Sequence, residues 1–550
     1  MRLACLWLFT VIAFAQVDTG TIAGTLTDPS GAALPGAAVM IRNEDTAQEF
    51  KTSSNSLGQF VSPPLPPGPY SVHAELAGFR KTVTNLTLTL NQRAVVNVAL
   101  PLGTAEQAVT VTAESVLLES ETTTLGNLRT SQSVRDLPLN GRNFAMLLGL
   151  TAGVAPAQTQ VQTVGLTPAR GTTANNVNGT GFRANRMLID GLDNTEVHNG
   201  QGVVIYPAIE AIQEFNVQTS VPSAEFGRGG ANMVVRLKSG TREYHGSLFE
   251  FLRNSAVDAK NYFDGPGKTP PFRLNQFGGT IGGPVSIPGV YTRAKDRSFF
   301  FFDYEGVRMR QAQTFISTVP ISAFKQGDFS AGPNRIYDPL TTRQTPAGLQ
   351  RDLFPGNAIP ANRIDPVGRN LMNLYPEPNL PGTSANYRLN PGQPNDANNW
   401  DLKFDHRFSD NDLTFYRFSR HITNQFTPGG LPAPAWGSAA AGLSRFPVHQ
   451  FVASYTHLFS PTLVNEVRAG VGRLFIDSHH ANYGTNVADQ VGIPNINGGD
   501  DPIRSGLPQF NISGLTLIGD SGTRPAIIVS ENWQYSDNLS WYKGSHSFKF

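Results

Sequence analysis

A single cysteine, Cys5, occurs in 550 residues. It sits inside an apolar leader, so the chain beyond it can build neither a disulfide nor a thiolate metal site. Charge of one sign is also missing. Lys and Arg number 43 against 42 Asp and Glu, a formal net charge of +1, and without a concentrated basic surface nucleic acid is excluded as a general partner. Past residue 16 no apolar run approaches the roughly 20 residues that a membrane-spanning helix needs. No GxSxG, HExxH, P-loop or dinucleotide fingerprint occurs, and His479-His480 lacks further ligands at metal spacing, so the pair reads as loop surface. Enzyme chemistry, a metal and a cofactor are therefore not expected.

What is present is glycine and proline, 54 and 39 of them, between short strand-like runs. That is the pattern of a turn-rich β protein, and the length calls for at least two domains. Residues 1–15 carry one positive charge at Arg2, an apolar stretch from Leu3 to Phe14 and the small-x-small site Ala13-Phe14-Ala15, which predicts a secretory signal cut after Ala15. An exported chain without a spanning helix is either soluble or a membrane β-barrel with alternating strands.

Residues 16–101 predict a small β-sandwich, with strands at Thr21 to Thr27, Ala37 to Arg42, Glu49 to Thr52, Gln59 to Ser62, Tyr70 to Leu76, Lys81 to Leu90 and Ala94 to Leu100. Asp28-Pro29-Ser30-Gly31 and Pro66-Pro67-Gly68 supply turns, since proline fixes φ and glycine accepts positive φ. With Gly24, Pro35-Gly36-Ala37, Gly58-Gln59-Phe60, Gly68-Pro69-Tyr70 and Ala77-Gly78-Phe79, the segment resembles the carboxypeptidase regulatory-like domain. That resemblance implies a transthyretin-like fold, classed with carbohydrate-binding-like sandwiches, and no peptidase chemistry.

In the middle of the chain, RMLIDGLDN (Arg186 to Asn194) and SAEFGRGGANMVVRLKSGT (Ser223 to Thr241) set very short apolar runs among Gly, Asn and Asp, which predicts short strands joined by tight turns. DLPLNGRNF (Asp136 to Phe144) precedes them, followed by an apolar run from Ala145 to Leu150 long enough for a short helix. These stretches resemble the plug domain of TonB-dependent outer-membrane transporters, most closely the Oar-like subfamily. The resemblance makes residues 116–241 a small αβ plug, with Leu188, Ile189, Asp190, Gly191 and Asp193 as its strand-turn motif and Gly227 to Gly230 as the approach to the barrel. The charged Asp190, Asp193, Arg183 and Arg186 are expected to touch the barrel wall rather than form a catalytic cluster. Upstream, residues 102–115 are a linker in which Val109 and Val111 alternate with Thr110 and Thr112, which suits an extended strand with no sheet of its own. The resemblance identifies Glu106, Val109, Thr110, Val111, Thr112 and Ala113 as a TonB box, the segment that would join the energising protein TonB by β-augmentation. The same run also reads as the last strand of the sandwich or the first of the plug.

Residues 242–550 show period-2 segments. In WDLKFDHRF, Trp400, Leu402, Phe404 and Phe408 fall opposite Asp401, Lys403, Asp405 and Arg407. In NWQYSDNLSWY, Trp533, Tyr535, Leu539 and Trp541 fall opposite Gln534, Ser536, Asn538 and Ser540. Aromatics outside and polar groups inside suit a barrel with lipid around it and water within. GGTIGGPV (Gly278 to Val285) and RSFFFFDYEG (Arg297 to Gly306) resemble an early hairpin of the Oar-like barrel. Residues 307–399 predict one long extracellular loop, with a short helix at Asp365 to Leu374. Barrels of this family have about 22 strands, whereas the residues left after the plug give room for roughly 10 to 14, so a C-terminally truncated chain is expected. The expected fold is thus mainly β: a sandwich, a plug and an incomplete antiparallel transmembrane barrel. The expected function is TonB-dependent uptake of an unidentified small-molecule, glycan or peptide substrate across the outer membrane. The alternative is a secreted multidomain β protein acting as an adhesin or carbohydrate binder, with an exported hydrolase a distant third.

Overall fold

In the computed structural model the described residues are 19–103, 109–112, 125–137, 139–156, 175–195, 203–220, 230–259, 269, 271–286, 289, 296–438, 440–543 and 546–550. The signal segment, Glu106, Ala113 and most of Gly227 to Gly230 lie outside them.

The first unit is a two-sheet sandwich. Strands β1 (Thr21–Thr27), β4 (Gln59–Val61), β7 (Arg93–Val95) and β8 (Val98–Ala99) make one sheet. The other, in the order β3-β2-β5-β6-β9, contains β2 (Ala38–Asn43), β3 (Glu49–Ser53), β5 (Gly68–Glu75), β6 (Thr82–Leu88) and β9 (Val109–Thr112). Alternation explains the packing: in β6 every second residue is buried, and Leu86 and Leu88 join Ile22, Val39, Ile41 and Val72 in the core. The predicted Asp28 turn forms as expected, with Asp28 Oδ1 accepting from the backbone N–H groups of Ser30 and Ala32.

The second unit is built on a sheet in the order β10-β15-β16-β13-β14, from β10 (Leu125–Thr130), β13 (Arg186–Ile189), β14 (Leu192–Asp193), β15 (Ile212–Ser220) and β16 (Asn232–Leu237); β11 (Val154–Pro156) and β12 (Asn175–Val177) pair separately. Helix α1 (Ser131–Asp136) is capped by Thr130, whose hydroxyl accepts from Ser133 N–H, and Phe144–Leu150 forms a 3-10 turn where the short helix was expected. One face of the sheet, with Phe215, Val217, Met233 and Val235, packs into an apolar core that the third unit also enters through Phe301, Phe446, Val448, Leu474 and Ile476; the other presents Glu214, Asn216, Leu188 and Val234.

Among the described residues the third unit is one antiparallel sheet of nine strands: β17 (His245–Asn254), β18 (Phe272–Pro284), β19 (Ser298–Ala312), β24 (Gly392–Arg407), β25 (Asp412–Thr427), β26 (Gly442–Ser460), β27 (Leu463–His480), β28 (Ala526–Lys543) and β29 (His546–Lys549). Nine is fewer than the expected 10 to 14, because the intervening loops consume more chain. Among the described residues β17 and β29 are the two edges, so the sheet does not close. It nevertheless wraps the plug: side chains from β18, β24, β25, β26, β27 and β28 all reach the second unit.

At one end β24 joins β25 and β26 joins β27 through tight turns, 408–411 and 461–462; at the other β19, β25 and β27 lead into long excursions, 313–391, 428–441 and 481–525. The first excursion is shorter than the predicted loop, since β19 and β24 extend into it, and it is not structureless. It contains β20 (Phe315–Ser317) paired with β23 (Tyr387–Leu389), the hairpin of β21 (Arg343–Thr345) and β22 (Gly348–Gln350), helix α2 (Ser322–Lys325), and helix α3 (Pro366–Asn373), capped by Asp365 where a helix was expected. The three excursions share a core of Val319, Tyr375, Tyr387, Leu431, Ala435 and Ile518, and Tyr375 Oη donates to Thr516 O at 2.6 Å. Burial of that phenol pushes its pKa up to about 12, so it stays a donor at any physiological pH. Helix α4 (Val487–Val491) packs onto the same lid.

The sheet's two faces decide its surroundings. Lys403 and Arg417 are 1% and 0% exposed, whereas Trp533 and Tyr535 on the opposite face are 62% and 73% exposed. A water-soluble sheet would bury the aromatics and expose the cations; here the order is inverted, as lipid outside and a polar bore inside require. No helix among the described residues is long and apolar enough to cross a membrane.

Candidate functional site

The site grows from one two-residue turn. Asp190 and Gly191 both have positive φ, 46° and 74°, and join β13 to β14 with Ile189 opposite Leu192. This is the geometry a tight antiparallel hairpin prefers, and Asp-Gly is the dipeptide that adopts it at least cost. The turn aims the Asp190 carboxylate into the wall. Its Oδ1 accepts from Lys403 Nζ at 2.9 Å and from Leu237 N–H at 3.2 Å, while Arg417 Nε lies 3.1 Å from Oδ2. That last N–H is not aligned on the oxygen, so the contact is an ion pair rather than a hydrogen bond. Arg417 instead donates to Ser419 Oγ, Gln450 Oε1 and Ile189 O.

The rest of the hairpin is gripped by neutral groups. Gln534 accepts from Asp193 N–H at 2.9 Å and donates to Gly191 O at 3.3 Å, and Gln450 donates to Asp193 O. Asp193 also pairs with Arg186 at 3.1 Å inside the plug, and Asp190, of the four charged residues singled out in the sequence, makes an ionic contact with the wall through Lys403. Gly191 has no room for a side chain: a Cβ there would stand 1.3 Å from Arg468 Nη1. Gly191→Ala is therefore expected to cost about 1–2 kcal/mol from the left-handed backbone alone, plus displacement of a buried guanidinium, read as a lowered urea midpoint for plug release.

Further round the wall, the NGR turn of the DLPLNGRNF stretch places Arg142 against Glu210, with its guanidinium 3.9 Å from the centre of the Phe251 ring and Gly141 O accepting from Gln276. At the tight-turn end, the sandwich core continues into Leu458 and Val464 of the wall. The sandwich also docks on the plug sheet: Leu90 packs on Leu188 and Val234, its N–H donates to Glu214 Oε2 at 2.7 Å, and its carbonyl accepts from Asn216 at 3.3 Å. A cavity of about 210 Å3 remains where sandwich, plug and wall meet.

Two expectations need correction. Val109–Thr112 does have a sheet: it lies parallel to β6 as the sandwich's edge strand, Thr82 opposite Val109 and Asn85 opposite Thr112. The histidine pair is not loop surface but ends β27. His480 is buried 3.4 Å from Asp520, and His479 lies 2.6 Å from Asp477 with its ring 3.8 Å from that of Tyr483. Among the described residues no cluster of His, Cys, Asp and Glu is arranged to hold a metal ion.

Residues 236–550, more than half of the chain, match the family described as an outer membrane beta barrel domain. The chain belongs to that family. Its lipid-facing and bore-facing sides are thereby those of an outer-membrane protein. Residues 21–101 match the carboxypeptidase regulatory-like domain. No curated protein matches the chain. Similar solved structures include the outer membrane transporter YddB from Escherichia coli (12% identity over 77% of this chain and 47% of that one, TM-score 0.46) and the siderophore receptor PirA from Acinetobacter baumannii (12%, 80% and 48%, 0.42). A mutant of the ferric enterobactin receptor PfeA from Pseudomonas aeruginosa, in complex with enterobactin, is another (11%, 78% and 62%, 0.31). The chain spans about half the length of the first two.

Proposed function

We propose that this outer-membrane protein is a TonB-dependent transporter that takes up an unidentified small-molecule, glycan or peptide substrate and performs no catalysis. The observation that carries the reading is the Asp190–Gly191 hairpin. It belongs to a sheet of its own, and its turn is held by polar wall groups that water can replace, beside an apolar contact of the plug core with Phe301, Phe446, Val448, Leu474 and Ile476 of the wall; a hold of that kind is what a displaceable stopper needs. Substrate docks at the lid end. TonB grips the segment around Val109 to Thr112, and traction upstream of Leu125 loads β10, the edge strand of the plug sheet, before any interior strand.

Deleting residues 109–112 is expected to abolish energised uptake and to reduce binding of a purified TonB C-terminal domain at least tenfold, with the protein still recovered in the outer membrane. Undiminished binding and uptake would reject the assignment of the box.

A further inference from the structure

The edge strand β9 has one side of its backbone on β6 and, among the described residues, no strand on the other. An unpaired strand edge is a template for another strand, and proteins ordinarily blunt such edges with charge. The opposite edge of this same sheet follows that rule: β3 carries Glu49 and Lys51. The β9 edge reads Val-Thr-Val-Thr and has no charge. It lies between the last strand of the sandwich and the first strand of the plug, where a pulled segment would have to be.

We propose that the sandwich presents this strand rather than hides it: β6 holds Val109–Thr112 extended, and a strand of TonB adds to the free side as the next member of the sheet. The inference rests on the reading of this segment as the docking box and goes beyond it by giving the carboxypeptidase regulatory-like domain a task. Ordering a flexible segment on binding costs affinity; a strand already fixed in register has lost that freedom beforehand. The sandwich is thus a docking platform, and the assembled sheet would run β3-β2-β5-β6-β9 and then TonB.

The test uses the full chain with Cys5→Ser, Asn85→Cys and Thr112→Cys, the last two at positions whose Cα atoms are register partners; Asn85 is exposed and outside the core. Binding of the purified TonB C-terminal domain is measured for the oxidised and reduced protein and for a free peptide of residues 105–115. Presentation predicts that oxidised and reduced forms bind within twofold of each other and at least tenfold tighter than the peptide. Loss of binding on oxidation with recovery on reduction, while the peptide still binds, would overturn presentation, because β9 would then have to leave β6. Binding by neither peptide nor chain would remove the docking box itself, the reading beneath.

Discussion

Replacing Asp190 by alanine is expected to weaken the hold of the wall on the plug by about 3 kcal/mol, the scale for removing one partner of a buried ion pair. Lys403 and Arg417 would remain at 1% and 0% exposure with their shared counter-ion gone. The loss should not reach the upper end of that scale, since Asp401 and Asp405 face the same side of β24 and keep part of the field negative. In a urea titration of plug release the midpoint should fall by roughly 1–3 M, given a slope of about 1–3 kcal/mol per M. The diagnostic result is the double variant. Removing an ion and its partner together costs far less than stranding one of them, so Asp190→Ala with Lys403→Met should recover a measurable part of the single-variant loss, the remainder belonging to Arg417, which still lacks its counter-ion. Equal losses in the single and double variants would mean that the carboxylate acts only through Leu237 N–H and the turn, and not through the wall.

That anchor also marks how far the sequence could be read. The Asp-Gly turn was legible because its chemistry is local, and so was the inward side of β24, where Lys403 falls in strict alternation with Trp400, Leu402 and Phe404. Their meeting was not, because they are 213 residues apart and strand alternation fixes a face without naming what lies across the bore. The same limit applies to β9. Val-Thr alternation predicted an extended strand, but its parallel partner β6 is separated from it by two strands of the sandwich's other sheet, and a parallel pairing leaves no hairpin signature in the intervening chain. Strand number was overestimated for a related reason. The Pro- and Asn-rich stretch from 313 to 391 builds its own pairs and helices outside the wall, and its composition does not separate loop from lid. His480 escapes the sequence reading because its partner, Asp520, comes only at the far end of the excursion that follows β27.

The junction between sandwich and plug should respond to pH, and the sign follows from Glu214. Burial raises its pKa from 4.5 to about 7, against the partial relief given by Leu90 N–H and the positive Arg236. A carboxyl with a raised pKa holds its proton more tightly in the docked state than when water reaches it. Below pH 4.5 both states are protonated and the group contributes no penalty. Between pH 4.5 and about 7 the undocked state ionises first and docking weakens. Above about pH 7 the whole penalty is present, on the order of 3 kcal/mol at about 1.4 kcal/mol per pH unit. Spin labels on exposed Leu57 of the sandwich and exposed Asp410 of the adjoining wall turn should therefore report a narrow distance distribution at about pH 5 that broadens toward about pH 7.5. Glu214→Gln keeps an oxygen for Leu90 N–H but cannot ionise, so its distribution should stay narrow across the range, and at the upper end it should be the more firmly docked of the two proteins. A wild-type distribution that does not change with pH would show that Glu214 remains solvated in the docked state. If both proteins broadened alike, the sensitivity would belong to another group at the junction, for which Asp45, its carboxyl also raised by burial, is the nearest candidate. Under the proposed TonB-dependent function, a docking contact that loosens toward neutral pH would free the plug sheet on the pulled side, and the carboxylate that costs the junction stability would lower the load needed to move the plug.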